Sequence, residues 1–370
     1  MKNVKNKTAR SLENVHTGDC LTNRLVYLDL LNVLAIVAVI AMHCNGLVHG
    51  NPMTRAWNTS LVVECICYFA VPIFFMISGA NLMKYRERYS TKVFFKKRVI
   101  KVLIPFLFWA SIMFLWKIFI IKSININTVN SPLKILNAFF SNKEEATYYF
   151  MFEILGIYLI LPLFSMFAKE SNKKVLWFTV GLYFIFNAII PNICKLLKVN
   201  WNTSLGVPIS GYAMYLILGY LLSETKLTKK QKVVLYIGAI IGLIYRYITT
   251  FILSKNAGVV TKTTWGYSSW HCILLTMSVF MVVKDTNICK RISENKKISN
   301  ILASISGCSF GIYLIHMIVK YYYVQILHIN TAVWHFRTFG VIAIYVISLI
   351  IVMIIVMIIK KVPILKKIVP

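Results

Sequence analysis

Apolar residues in this chain fall into repeated runs of about 20 positions, separated by short polar and basic stretches. A run that long is what an α-helix needs to cross a hydrocarbon core about 30 Å thick. Inside lipid the run must be helical, because its backbone hydrogen bonds have no other partners. The pattern predicts spans at about 25–47, 60–83, 99–121, 147–168, 175–191, 209–223, 231–253, 267–284, 301–323 and 338–359. The expected fold class is all-α, a polytopic transmembrane bundle of about ten helices over 25–360, with basic tails at 1–24 and 361–370. The stretch 122–146 contains Asn125, Asn127, Asn130, Ser131 and Pro132 and reads as a loop. Within the second span, Val71-Pro-Ile-Phe-Phe-Met-Ile-Ser-Gly79 predicts a kink or a close helix contact. No cleavable signal peptide is expected, since the first run is long enough to span and has no small-residue cleavage site.

Composition agrees with the pattern. Hydrophobic residues make up 58% of 370 and charged residues only 14%, against roughly 25% in soluble domains. A net charge of +29 would suit nucleic acid if it lay on a soluble face, but it lies between the spans. On one side 28 of the 41 Lys and Arg residues collect, far more than on the other. That asymmetry places both termini in the cytoplasm of a multi-pass cell-membrane protein, with membrane lipid as its basic loops' partner. The eight cysteines are scattered, and beyond Cys65 and Cys67 no second pair stands at zinc spacing, so no metal is expected. Asn58 and Asn202 open glycosylation sequons in outward loops, relevant only in a eukaryotic secretory pathway. Nucleotide-binding loops and serine-hydrolase elbows are absent.

Ionisable groups inside spans are costly, so each is a candidate site. Asp29, Asn32, Ile36 and His43 share one face of the first span. Ser306, Ser309, Tyr313, His316 and Lys320 form a polar stripe on the ninth, which should face the bundle interior. Counting the rise per residue places His43, His316, Glu153 and Arg246 at similar depth in the outer half. Two imidazoles, a carboxylate and a guanidinium at one level suit proton transfer. Glu64 and His271 fall at the outer edge. On the inner side Lys96, Lys97, Arg98 and Lys101 cluster before Pro105, suited either to a phosphorylated ligand or to plain inner-side anchoring.

Five segments, in order, resemble the membrane acyltransferase-3 family, bacterial multi-span enzymes that acylate cell-surface glycans and related molecules. They are Tyr27–His43, Val71–Gly79, Phe94–Pro105, Phe152–Pro162 and Ser309-Phe-Gly-Ile-Tyr-Leu-Ile-His316. The resemblance implies a cytoplasmic acyl-CoA donor, usually acetyl-CoA, and a glycan or lipid-linked glycan acceptor reached from outside. It matches the family's histidines to His43 and His316 and its basic residue to Arg98. The family commonly has an arginine eleven residues before the first histidine, where this chain has Asn32. An asparagine can donate a hydrogen bond there but supplies no charge, a role Lys101 is placed to take over.

The expected function is therefore acyl transfer, with His43, His316, Glu153 and Arg246 as the catalytic set and Arg98, Lys101 and Asn32 on the donor. Two other readings stay open: a surface-polysaccharide export component without transferase activity, and a non-catalytic partner in an envelope assembly.

Overall fold

The computed structural model describes residues 25–141, 145–326 and 339–362, with 365, 368 and 369. The expected tail at 1–24 lies outside the described residues. In chain order the helices are α1 (Val26–Cys44), α2 (Arg55–Cys67), α3 (Ala70–Leu82), α4 (Thr91–Arg98) and α5 (Ile104–Phe119). There follow α6 (Pro132–Phe140), α7 (Tyr149–Phe164), α8 (Lys173–Tyr183), α9 (Ile190–Leu196) and α10 (Gly211–Glu224). The last are α11 (Lys229–Ala257), α12 (Trp270–Asp285), α13 (Asn287–Glu294), α14 (Lys296–Tyr321) and α15 (Phe339–Lys361).

Each of the ten apolar runs coincides with helix. Among the described residues, seven stretches are long and apolar enough to cross a membrane, and eight if the α12–α13 pair, bent by 44°, is one span. The others are α10 and the 23-residue α15. At 14 residues α10 is only about 21 Å long, and Ala213 to Leu222 are all buried. It is a core helix enclosed by its neighbours. The stretch 122–146 is not all loop: α6 begins there, with the Ser131 hydroxyl accepting from the Lys134 amide and Pro132 in the first turn. Ser followed by Pro is a helix-start signal as well as a turn signal, and here the helix wins.

The second span is broken after Cys67, just before Pro72, which has no N–H to give the helical ladder. Its second half, α3, packs backbone to backbone on α10. A Cβ on Gly79 would sit 2.8 Å from the carbonyl carbon of Leu216, and one on Gly219 2.5 Å from that of Met76. The close contact expected of the Pro/Gly segment is therefore real. Lys284 of α12 closes the far end of α10, donating to the carbonyls of Ser223 (3.0 Å) and Thr225 (3.1 Å) as well as Leu222. It thereby satisfies carbonyls that a helix end leaves open.

Two spans widen to π-helix one turn before a proline, at Val99–Leu103 ahead of Pro105 and at Phe184–Ile189 ahead of Pro191. A proline removes the hydrogen bond to the carbonyl four residues back and crowds it; those carbonyls belong to Lys101 and Asn187. Widening the turn relieves the clash. α7 and α14 are tied reciprocally, Tyr148 Oη donating to the Leu314 carbonyl and Tyr313 Oη to that of Thr147, both at 2.7 Å. Glu145, buried just ahead of α7, accepts from Tyr321 Oη (2.9 Å) and pairs with Lys117 (3.2 Å). At the chain end, Trp109 Nε1 donates to the Ile368 carbonyl and Val369 packs on Gly311, so these two residues of the expected tail lie against the bundle.

Candidate functional site

The polar stripes of α1 and α14 face each other inside the bundle. Ser306, Ser309, Tyr313 and His316 are buried, as expected for a face turned from lipid. Asn32 Nδ2 donates to both the carbonyl (2.9 Å) and the hydroxyl (3.0 Å) of Ser306, bridging the helices at one end. At the other end the rings of His43 and His316 lie 5.1 Å apart. His316 Nδ1 is 2.6 Å from the Tyr313 carbonyl, which can only accept. Nδ1 therefore carries the proton, and in the neutral ring Nε2 is the acceptor. That Nε2 is buried with no hydrogen-bond partner. An unpaired buried nitrogen beside a second imidazole is an arrangement that can take a proton from a substrate group.

Two cavities line up along these helices. The first, of 310 Å³, is lined by Asn32 of α1, Ser78 of α3, Lys101 of the π turn, Tyr158 of α7 and Ser306 and Ser309 of α14, among others. The second, of 130 Å³, holds His43, His49, Glu64, Tyr149 and Tyr267. α1, α3, α7 and α14 line both, and along each helix the lining residues run in the same sense, Lys101 end to His43 end. Phe74, Phe150 and Tyr313 line both cavities and stand between them. From Asn32 to His43 the axial distance is about 16 Å at 1.5 Å per residue.

Arg98 does not line the first cavity. Its guanidinium lies over the rings of Phe94 (5.6 Å) and Tyr158 (5.3 Å), and Tyr158 does line it. Arg98 Nε is buried without a partner. Lys96 and Lys97 are exposed, the latter over Tyr89 at 4.0 Å. Lys101 shares the first cavity with Asn32, so the cation does stand beside the asparagine.

Of the outer candidates, Glu153 lines neither cavity. Arg246, 1% exposed, lies behind the wall of the second one: its Cζ is 3.4 Å from the Tyr68 ring, which stacks on Tyr267 at 4.4 Å. Its charge is balanced at 3.7 Å by Glu64, and it is Glu64 that the cavity sees. Span position alone put Arg246 and Glu153 level with the histidines and Glu64 at the edge; helix rotation brings Glu64 in. His271 is buried against Gly242 of α11, with Nε2 unpaired. His49, exposed in the loop after α1, adds an imidazole to the rim. Partial desolvation, then the charges of Lys262 and Lys320, hold it below its usual range and so neutral near pH 7.

A sequence profile described as an acyltransferase domain matches residues 25–360. The chain belongs to the membrane acyltransferase-3 family. The match takes in every helix from α1 to α14 and nearly all of α15. Neither the curated proteins nor the solved structures include a match. Membership makes the protein a membrane acyltransferase in general terms, and it is the two-chamber geometry that bears on how an acyltransferase-3 protein would use these residues.

Proposed function

We propose that the protein moves an acetyl group from cytoplasmic acetyl-CoA to a hydroxyl or amine of an extracytoplasmic envelope glycan or related acceptor. The observation that carries this reading is the coaxial pair of cavities, one lined by Lys101 and the other by His43, whose ring lies 5.1 Å from that of His316 behind it. The basic excess supports setting the Lys101 end in the cytoplasm and the His43 end outside. Lys101 and Arg98, the latter with its unpaired Nε, suit an anionic donor. The acceptor hydroxyl gives its proton to an imidazole, either directly in attack on the thioester carbonyl or after His43 has first taken the acyl group. In each route the C–S bond breaks, the new bond forms at the carbonyl carbon, and the departing sulfur takes up a proton. Glu64, backed by Arg246, faces the same small chamber and orients the acceptor.

The test is turnover of labelled acetyl-CoA by purified protein in detergent, comparing wild type with His43→Ala and Asn32→Arg. Label release or transfer that falls about 10²–10⁴-fold in His43→Ala supports the reading, that being the usual worth of a positioned acid–base group. Equal rates in wild type and His43→Ala overturn the assignment. A folded protein that binds no acetyl-CoA in any variant favours export without chemistry.

A further inference from the structure

The His43 chamber and the Lys101 chamber meet at three aromatic side chains. Phe74 from α3, Phe150 from α7 and Tyr313 from α14 floor the one and roof the other. Their rings touch: Phe74 and Phe150 centroids are 5.8 Å apart, and Phe150 meets Tyr313 edge to face at 5.2 Å. An alkyl chain passing from one chamber to the other therefore runs against these rings.

The three are not equally held. Tyr313 is fixed at both ends, by its hydroxyl on the Thr147 carbonyl and by its place one turn before His316, whose Nδ1 its own carbonyl holds. Phe150 is braced by Phe75, ring centres 5.1 Å apart. Phe74 is half-buried, as Phe150 is, but among the described residues its ring meets Phe150 alone, whereas Phe150 meets Phe74, Phe75 and Tyr313. Phe74 is therefore the member that can swing while the His316 side stays in place.

The volumes on either side differ. The Lys101 chamber has 310 Å³ and the His43 chamber 130 Å³, less than half as much. It must hold the acyl group and the reacting end of the acceptor together. A two-carbon acyl group leaves room there for a hydroxyl, whereas an eight-carbon chain presses on the aromatic floor.

We infer that Phe74, Phe150 and Tyr313 form a collar that sets the size of the transferable acyl group, with Phe74 its movable member. The inference rests on the acyl-CoA reading above. Each added methylene that finds no room costs a factor of about ten or more in kcat/KM.

The experiment measures CoA release from acetyl-, butyryl- and octanoyl-CoA by the full-length protein in detergent, with water as acceptor and CoA quantified chromatographically. Wild type is compared with Phe74→Ala, Phe74→Leu and Phe150→Ala, and melting is recorded for each to separate misfolding from selectivity. The expected result is a steep fall from acetyl- to octanoyl-CoA in wild type. Phe74→Ala narrows the acetyl-to-octanoyl ratio by about tenfold or more, Phe74→Leu lies between, and release still depends on His43. A wild type that cleaves octanoyl-CoA as fast as acetyl-CoA overturns the collar and leaves the transferase reading standing. So does a folded Phe74→Ala or Phe150→Ala whose ratio is that of wild type. If wild type turns over none of the three, the transferase reading and the collar fall together.

Discussion

Gly79→Ala tests the α3–α10 contact, on which α3's placement of Phe74 and Ser78 in the cavities depends. The added methyl would lie 2.8 Å from the carbonyl carbon of Leu216 and 3.1 Å from its Cα, and closer still to its oxygen. These are backbone atoms, so no side-chain rotation relieves the overlap. α10 cannot retreat either, since all ten residues from Ala213 to Leu222 are buried. Overpacking of a tight core costs about 1–3 kcal/mol, and a backbone-on-backbone clash belongs at the top, about 3 kcal/mol. At about 2–4 °C per kcal/mol the midpoint should fall by about 6–12 °C. Cys65, Cys272 and Cys308 are buried thiols in no disulfide, so a thiol-reactive fluorophore in detergent reports unfolding directly. Gly156→Ala is the control: nothing lies within 4 Å of its Cβ position, and on helix propensity it should be neutral or stabilising by up to about 1 kcal/mol. An unchanged midpoint in Gly79→Ala, or equal losses in the two variants, would refute the packing argument.

Glu145→Ala should cost about 3 kcal/mol, the low end for breaking a buried ion pair, because Lys117 keeps 14% exposure; the double variant Lys117→Met, Glu145→Leu should recover most of it, and a double variant as unstable as the single would count against the pairing. Lys284→Met removes one cation from three carbonyls at the end of α10, for an expected loss of about 1–2 kcal/mol by the same melting assay; an unchanged melt would mean solvent caps α10 equally well.

Hydropathy located the ten helical segments because lipid imposes it directly: each turn facing the bilayer must be apolar, and the period of 3.6 exposes any stripe that is not. Hence the spacing of polar residues from Ser306 to His316 is enough to turn that face inward. What hydropathy does not carry is the rotation of one helix against another. Arg246 and Glu153 are the conspicuous charges at the right depth, yet one is turned behind Tyr68 and the other away from both cavities. Glu64 looked like an edge residue and is the carboxylate the chamber sees. Glu145 lay in what read as loop, and only its contacts with Lys117 and Tyr321 mark it as a structural hub. The collar was beyond a single sequence altogether: Phe74 and Phe150 are ordinary apolar positions, Tyr313 belongs to a polar stripe, and the three lie on separate helices.

The asparagine at position 32 looks in sequence like a lost charge, and the surrounding geometry changes what that loss means. Its Nδ2 donates twice to Ser306, fastening α1 to α14 at the wall of the Lys101 chamber. A guanidinium at this site would have to make that bridge and meet an anion as well. Here the tasks are divided. Pro105 forces the turn before it to widen, and the widened turn carries Lys101 into the same chamber. On the proposed reading the donor's negative charge then meets Lys101, while Asn32 keeps the two histidine-bearing helices in register. Charge and register become separable by mutation: Lys101→Met should weaken acetyl-CoA binding without lowering the melting point, and Asn32→Ala should do the reverse, losing about 1–2 kcal/mol with its two hydrogen bonds. Loss of both properties in each variant would show that the two roles had never been divided.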